Sequence, residues 1–138
     1  MSASNLPTRT IVATLETQDF WDATAEGRFL LRRCNNCEAV IWYPRSHCPS
    51  CMSTEVSWID AAGTGVVYSF TVTRASSGTW KAALPYVLAL VELDEGPRVL
   101  TNIVGISVED VRIGMAVRVV FEDPIDGSAL YRFAPVTT

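Results

Sequence analysis

The stretch "LLRRCNNCEAVIWYPRSHCPSCMS", residues 30–53, contains all four cysteines of this 138-residue chain. They form two C-x-x-C pairs, Cys34 with Cys37 and Cys48 with Cys51, and ten residues separate the pairs. Each pair fits a tight turn that directs two sulfurs at one point, and two such turns supply the four soft ligands that zinc takes at tetrahedral corners. The spacing therefore predicts one metal site with these four cysteines as ligands.

The predicted site has a closed coordination shell. Four thiolates leave no position for a water molecule, so we expect the metal to stabilise the fold and not to catalyse hydrolysis. Iron in the same thiolate cage gives the same sequence pattern and stays an alternative to zinc. A redox dithiol also stays open, although such a motif usually lies in a βαβ unit, which this sequence does not show.

His47 is the only histidine of the chain and lies directly before the second cysteine pair. It is an alternative ligand, but four cysteines already complete the shell, so we expect a partly exposed residue without a metal. A zinc deaminase would need an H-x-E motif before P-C-x-x-C. Because Cys48 and Pro49 follow His47, the sequence excludes that class.

The segments around the cysteine pairs have the pattern of a zinc ribbon. "RFLLRRC", residues 28–34, predicts a strand that enters the first pair, and "AVIWYP", residues 39–44, predicts a second strand that ends at Pro44. The positions after each second cysteine, where ribbons often place glycine for a left-handed backbone, hold Glu38 and Met52. The order strand, knuckle, strand, knuckle is that of a zinc ribbon.

A short helix precedes the ribbon. Thr17 has the chemistry of an N-cap, and Gly27 suits a left-handed stop, which predicts a helix over residues 18–26. Residues 1–16 contain Pro7 and β-branched residues without a clear period, so we treat them as an arm whose order depends on a partner.

The sequence after the ribbon predicts five strands. Val66, Tyr68, Phe70 and Val72 alternate as one face of the first strand, and Gly96 marks a hairpin turn between the second and third. "VEDVRIGM" predicts a helical turn before the last two strands, "AVRVVFED" and "ALYRFAPV". Five mostly locally paired strands suit a small closed barrel of the OB type. The predicted fold is thus mainly β: an arm and short N-terminal helix (1–29), a zinc ribbon (30–60) and a five-stranded OB barrel (61–138).

Composition limits the environment and the partners. The chain has 11 basic and 15 acidic side chains and a pI near 4.9, which argues against nucleic acid as a partner because that affinity comes from neutralising phosphates. No apolar run reaches the roughly 18 residues of a membrane span, and the N-terminus has no signal-peptide pattern, so we expect no membrane and a cytoplasmic protein.

The sequence offers no convincing catalytic set. A Ser-His-Asp triad would have to use His47, which lies in the ribbon. Glu92, Asp94 and Glu95 cluster at one strand end, but a solvated hairpin tip is the commoner explanation for such a group than paired-carboxylate hydrolysis.

The loop "RASSGTWKAALPY", residues 74–86, is a candidate ligand-binding segment. It is long for a small barrel and carries Arg74, Trp80 and Lys81. Cations beside an exposed aromatic ring bind a phosphorylated, nucleotide-like group by charge and stacking. An ordinary solvent-exposed loop is the alternative.

The chain resembles a known family from Phe20 to Pro135. The resemblance is carried by the following stretches: "FLLRRCNNCEAVIWYPRSHCPSC", "GTGVVYSFTVTR", "PYVLALVELDEGPRVLTNIVG", "VRIGMAVRVVFED" and "YRFAP". Together they are similar to the zinc-ribbon and OB-fold acyl-CoA-associated proteins, the family called domain of unknown function 35. The resemblance implies a leading helix, a rubredoxin-like ribbon on the four cysteines and a C-terminal OB barrel.

The same resemblance implies a role without catalysis of its own. Members of the family usually act as accessory subunits of thiolase-fold enzymes or of hotdog-fold enoyl-CoA hydratases, and the partner owns the catalytic residues. The accessory chain helps to shape the acyl-CoA site, and some members serve lipid-transfer-protein-like aldolases in steroid side-chain degradation. We therefore expect structural Zn²⁺, a thiolase-like or hydratase partner in a hetero-oligomer, and a CoA thioester as ligand.

Two other functions stay open. Ribbons and OB barrels also bind single-stranded nucleic acid, and Tyr68, Phe70 and Trp80 are candidates for stacking on bases. An electron carrier with iron in the thiolate cage is a weaker alternative.

Overall fold

A computed structural model describes residues 4–136 of the chain. The ends of the predicted first and last segments, residues 1–3 and 137–138, lie outside this range. The elements are one helix, α1 (Gln18–Thr24), eight strands, β1 (Leu30–Cys34), β2 (Val40–Ile41), β3 (Val56–Asp60), β4 (Thr64–Thr73), β5 (Tyr86–Leu93), β6 (Arg98–Ile103), β7 (Ala116–Phe121) and β8 (Tyr131–Pro135), and two 3-10 helices, Gly78–Ala83 and Val108–Asp110. The predicted mainly β fold with a short helix is confirmed.

Three strands form the sheet that carries the cysteines, in the order β2-β1-β3. The sequence predicts β1 and β2, although β2 has only two residues where six were expected. It does not predict β3, which pairs antiparallel with the whole of β1, from Leu30 opposite Asp60 to Cys34 opposite Val56. Since β3 ends at Asp60 and β4 begins at Thr64, we propose the boundary between ribbon and barrel at the predicted position, residues 60–61.

The other five strands close into a barrel in the order β4-β5-β6-β8-β7. Every neighbouring pair is antiparallel except β6 with β8, which is parallel and is joined only at Ile103 and Phe133. This is the arrangement of a five-stranded, partly open OB barrel, as predicted. The hairpin between β5 and β6 turns at Gly96, whose φ of +115° suits a glycine.

Strand β4 does not keep the single face that its sequence pattern predicts. A bulge between Val67 and Ser69 shifts its register against β5. Val67 points into the core before the bulge, whereas Phe70 and Val72 pack against the core after it, and Tyr68 is exposed. The prediction of one face for these residues was wrong, because one extra residue at a bulge moves all later side chains to the opposite face.

Helix α1 is shorter than predicted and ends at Thr24 instead of residue 26. Gly27, at φ +76°, donates its N–H to the Thr24 carbonyl, and the Arg28 N–H bonds to Ala23, so the glycine stop lies where the sequence places it. The N-cap prediction was wrong in its mechanism. The Thr17 hydroxyl makes no capping bond and instead accepts the Thr14 N–H at 2.9 Å.

An aromatic cluster joins the ribbon to the barrel through α1. Phe20 is completely buried, and its ring lies 5.3 Å from Trp42 in the ribbon and 6.2 Å from Tyr131 in the barrel. Thr24 adds a polar tie, because its buried hydroxyl accepts the N–H of Ala129 at 2.9 Å. Helix α1 therefore packs against both the ribbon and the barrel.

Candidate metal centre

The structure brings together the four cysteine sulfurs that the sequence singles out. All four Sγ atoms lie within 4.8 Å of one another, and the shortest separations are 3.6 Å, between Cys34 and Cys51 and between Cys37 and Cys48. In each pair the first cysteine is buried and the second is exposed. One edge of the sulfur cluster thus lies inside the ribbon and the other at its surface.

The two knuckles have the same backbone geometry. In the first, the Glu38 N–H bonds to the Cys34 carbonyl at 2.9 Å, and in the second the Met52 N–H bonds to the Cys48 carbonyl at 2.8 Å. The Cys37 N–H also points at the sulfur of Cys34 at 3.4 Å. Such N–H groups stabilise negative charge on sulfur, which favours the thiolate that a metal requires.

Glu38 and Met52 both adopt the left-handed backbone, with φ of +66° at each position. This is the conformation that ribbons usually assign to glycine, so the knuckles are tight although neither residue is a glycine. Glu38 has a further contact, since its carboxylate accepts a hydrogen bond from Arg33 at 2.8 Å.

The environment of the sulfurs favours charge on some thiols and opposes it on others. An amide hydrogen bond from Asn36 to the sulfur lowers the pKa of Cys51 to about 6, and the N–H of Cys51 lowers the pKa of Cys48. A hydrogen bond from the Ala39 N–H acts to lower the pKa of Cys37. Hydrogen bonding with the sulfur of Cys48 and burial act in the opposite direction, and the pKa of Cys37 is raised to about 12. Four thiolates in so small a volume repel one another, so full deprotonation needs a cation among them.

Asn36 is a contributor that the sequence analysis missed. Its side chain lies within the first knuckle and reaches across to a sulfur of the second, at 3.5 Å. An asparagine between two cysteines of a C-x-x-C pair was the available signal. His47, by contrast, is half-buried and is not part of the sulfur cluster, which is the one group of three or more such ligands among residues 4–136.

The carboxylates at the β5–β6 hairpin have structural roles. Glu92 pairs with Arg98 at 3.0 Å, Asp94 accepts the hydroxyl hydrogen of Thr64, and Glu95 accepts the N–H of Ala62 at 2.8 Å. Each of the three carboxylates therefore accepts a hydrogen bond within the barrel or its entry loop.

The three residues of the predicted ligand loop have different surroundings in the structure. Arg74 pairs with Glu109 at 3.1 Å, and the ring of Trp80 packs against Tyr86 with centroids 4.8 Å apart. Lys81 is exposed, and no hydrogen bond, ion pair or ring contact joins it to the other two within the described part of the chain.

Trp80 forms one wall of an open groove of about 640 Å³. The N-terminal arm, residues 4–16, forms the opposite wall, which the sequence analysis did not foresee. The groove is lined by Pro7, Thr8, Arg9, Ile11, Thr79, Trp80 and Leu130. Arg9 and not Arg74 is thus the arginine that shares a groove with Trp80.

The fold and the sulfur site define a protein with a zinc ribbon and an OB barrel, and two family models match these parts. Residues 21–57 match "ChsH2, rubredoxin-like zinc ribbon domain", and residues 58–122 match "ChsH2, C-terminal OB-fold domain". A DUF35 domain-containing scaffold protein of Methanocaldococcus jannaschii is 40% identical over 111 residues, which are 75% of this chain and 79% of that protein. The chain belongs to this DUF35 family.

Other relatives are parts of enzymes. A solved structure, "Ltp2-ChsH2(DUF35) aldolase", matches with a TM-score of 0.81 and 33% identity over 91% of this chain and 98% of that chain. A probable enoyl-CoA hydratase alpha subunit of Thermomonospora curvata is 41% identical over 71% of this chain, and the 3-oxo-4,17-pregnadiene-20-carboxyl-CoA hydratase alpha subunit of Mycobacterium tuberculosis is 30% identical over 87%. This chain spans only 31% and 38% of the lengths of those two proteins.

Among residues 4–136, no helix is long and apolar enough to cross a membrane.

Proposed function

We propose that this chain is a non-catalytic accessory subunit that binds a thiolase-fold, aldolase-like partner and helps to form the acyl-CoA site of that partner. The observation that carries the proposal is the match to almost the full length of a chain in an Ltp2-ChsH2(DUF35) aldolase. The name scaffold protein, given to the archaeal relative, supports the same role.

The metal site supports a structural role for this chain. We propose that Cys34, Cys37, Cys48 and Cys51 bind one Zn²⁺, because their four sulfurs lie close enough for a single ion. A shell of four thiolates has no open position for a substrate or a water molecule. Bond making and breaking then falls to the partner.

A CoA thioester is the proposed ligand of the complex, in the degradation of lipids or steroid side chains. The hydratase subunit of Mycobacterium tuberculosis, whose name contains a steroid CoA ester, supports this substrate class. Arg74, Trp80 and Lys81 remain our proposed contacts to the CoA part. Since Arg74 already pairs with Glu109, we expect Lys81 to contribute more than Arg74 to the affinity.

A hotdog-fold enoyl-CoA hydratase is the second candidate partner, and the names of the two hydratase alpha subunits favour it. Those proteins are about three times as long as their matching part, so their activity can reside elsewhere in their chains. Binding to a thiolase-fold protein and not to a hydratase subunit would separate the two candidates.

Binding to single-stranded nucleic acid finds little support in the structure. The Arg98 guanidinium covers the ring of Tyr68 at 3.7 Å, Phe70 packs against the core, and Trp80 packs on Tyr86. Tyr68 and Phe70 are therefore engaged within the protein, and the chain has a net charge of −4.

The test of the proposed function is co-expression with candidate thiolase-fold and hydratase subunits of the native host. We expect a stable complex with a thiolase-fold chain in size-exclusion chromatography, turnover of CoA thioesters by the complex, and none by the isolated accessory chain. Turnover by the isolated chain, or the failure of every candidate to bind, would contradict the proposal.

The loop is tested in the assembled complex. Lys81→Ala should weaken CoA-ester binding roughly three- to ten-fold, as expected for the loss of one exposed cation, and Arg74→Ala should weaken it less. Arg118→Ala, which removes an exposed arginine from β7, is the matched control and should leave affinity unchanged. Equal affinities for all three variants would show that the loop does not contact the ligand.

A further inference from the structure

We propose that residues 8–14 of the N-terminal arm are an unpaired edge strand to which the thiolase-fold partner adds a strand of its own. This proposal rests on the proposed function and names the surface through which the accessory chain docks. The arm lies outside the part of the chain that the two family models match, which begins at residue 21.

The arm has the pattern of a strand without the ladder of a strand. Thr8, Thr10, Val12 and Thr14 are β-branched and exposed, whereas Ile11 and Ala13 between them pack against the core. Within residues 4–136, the backbone N–H and C=O groups of residues 8–13 have no hydrogen-bond partner. A segment whose backbone groups are free is able to take an extended form and to pair with a strand from another chain.

Buried charged groups hold the start of the arm in place. Arg132, on β8, is buried and donates from Nη2 to the carbonyl of Pro7 at 2.8 Å. Its Nε bonds to the buried carboxylate of Glu122 at 3.2 Å, and that carboxylate also accepts the Ser4 hydroxyl at 2.5 Å. The amide oxygen of Asn102 accepts a third bond from Arg132, at 2.6 Å. These bonds fix the start of the arm at Pro7 on the barrel. A segment that is already held in place loses less conformational entropy when a partner binds.

The exposed side chains of the arm include apolar and basic groups. Val12 is 89% exposed, and Leu15, at the turn that follows, is fully exposed. Arg9 is also exposed, and no acidic side chain pairs with it in residues 4–136. The complementary surface is a sheet edge with an apolar contact for Val12 and a carboxylate opposite Arg9.

A second copy of this chain fits that description poorly. Residues 8–14 contain no Asp or Glu, so two arms paired with each other would supply no carboxylate to either Arg9. Each copy also carries a net charge of −4, which opposes association of two copies. A partner subunit is therefore the occupant that the charges favour.

The test measures the affinity of the co-expressed thiolase-fold subunit for variants of the full chain. Val12→Asp should weaken the complex about ten-fold or more, because it places an unpaired charge in the contact. Arg9→Glu should weaken it about five- to ten-fold. Ile113→Asp and Arg118→Glu make the same changes at exposed positions elsewhere on the barrel, and both should stay within about two-fold of the parent affinity.

Hydrogen exchange provides a second measurement. In the free chain the amides of residues 9–13 should exchange fast, since none is bonded, and in the complex they should slow by about 100-fold or more. A complex that forms with unchanged affinity in Val12→Asp and with unprotected arm amides would overturn this proposal while leaving the proposed function intact. A wild-type homodimer that Val12→Asp dissociates would show that the occupant is a second copy, which also overturns it. If no complex forms at all, the free arm stays unprotected and both proposals fail.

Discussion

The ribbon and the barrel of this protein are stabilised in different ways. The buried residues of the ribbon's own small cluster are only Cys34, Ile41 and Cys48 within the described part of the chain, and its strand β2 has two residues. The barrel instead surrounds a much larger core, which its strands share with side chains of α1 and β1, among them Phe20, Leu30 and Leu31. The cysteine side of the ribbon has only this small cluster, and four sulfurs around a metal supply a cross-link there. The barrel instead closes its strands on each other.

The largest expected effect is the unfolding of the ribbon, without the barrel, when a metal ligand is removed. Cys48→Ser should release the metal and remove most of about 10 kcal/mol of metal-binding free energy, because structural zinc binding is coupled to folding. Amides of β1–β3 should lose protection in hydrogen exchange, whereas β4–β8 should keep theirs. His47→Ala is the control and should retain one metal ion per chain. Full metal content and an unchanged melting temperature in Cys48→Ser would refute a metal-dependent ribbon.

The next effect concerns the joint between the two regions. Phe20→Ala should cost about 4 kcal/mol of unfolding free energy, since it leaves a cavity among aromatic rings from both sheets. Urea denaturation measures this cost. Phe20→Leu retains most of the apolar volume and should cost clearly less. If Phe20→Ala reduced the hydrogen-exchange protection of α1 alone, the helix would not stabilise the contact between ribbon and barrel.

A smaller effect should be confined to the barrel and the arm. Arg132→Met should cost about 3 kcal/mol, because Glu122 is left buried without its counter-charge. The double variant Arg132→Met with Glu122→Leu should recover much of that loss, as measured by thermal unfolding at a fixed metal content. Metal affinity should not change in either variant. A shift in metal affinity would show that the barrel and the ribbon are coupled beyond the joint at Phe20.

The smallest effect is a stabilisation of one knuckle. Met52 has a left-handed backbone, so Met52→Gly should raise the stability of the metal-loaded protein by up to about 1 kcal/mol. Ser50→Gly, in the same knuckle but without positive φ, is the matched control and should lower stability by about 0.5 kcal/mol. Thermal melts of the two variants in opposite directions would support this account, and equal losses in both would contradict it.

Local chemistry predicted much of this molecule. The cysteine spacing placed four sulfurs at one point, and the glycine at position 96 marked the hairpin that the barrel contains. Strand β3 lies within the predicted ribbon, residues 30–60, but was not predicted as a strand, because it forms by pairing with β1, more than twenty residues earlier. The bulge between Val67 and Ser69 decides which side chains of β4 face the core. No residue type in this stretch predicts the bulge.

The arm shows the same limit. Its β-branched residues showed no clear period in the sequence, and the burial of Ile11 and Ala13 depends on the core against which they pack. A hydrogen bond joins Pro7 to Arg132, which are 125 residues apart. A bond between such distant positions leaves no periodic pattern in either segment.

By itself, the sequence determined the ligand set of the ribbon and the number of barrel strands, since both follow from spacing and alternation over short segments. Only the tertiary structure decided which strand completes the ribbon, which arginine shares a groove with Trp80, and which face of the arm is exposed. Those features depend on contacts between residues far apart in the chain, which leave no pattern within a short segment of sequence.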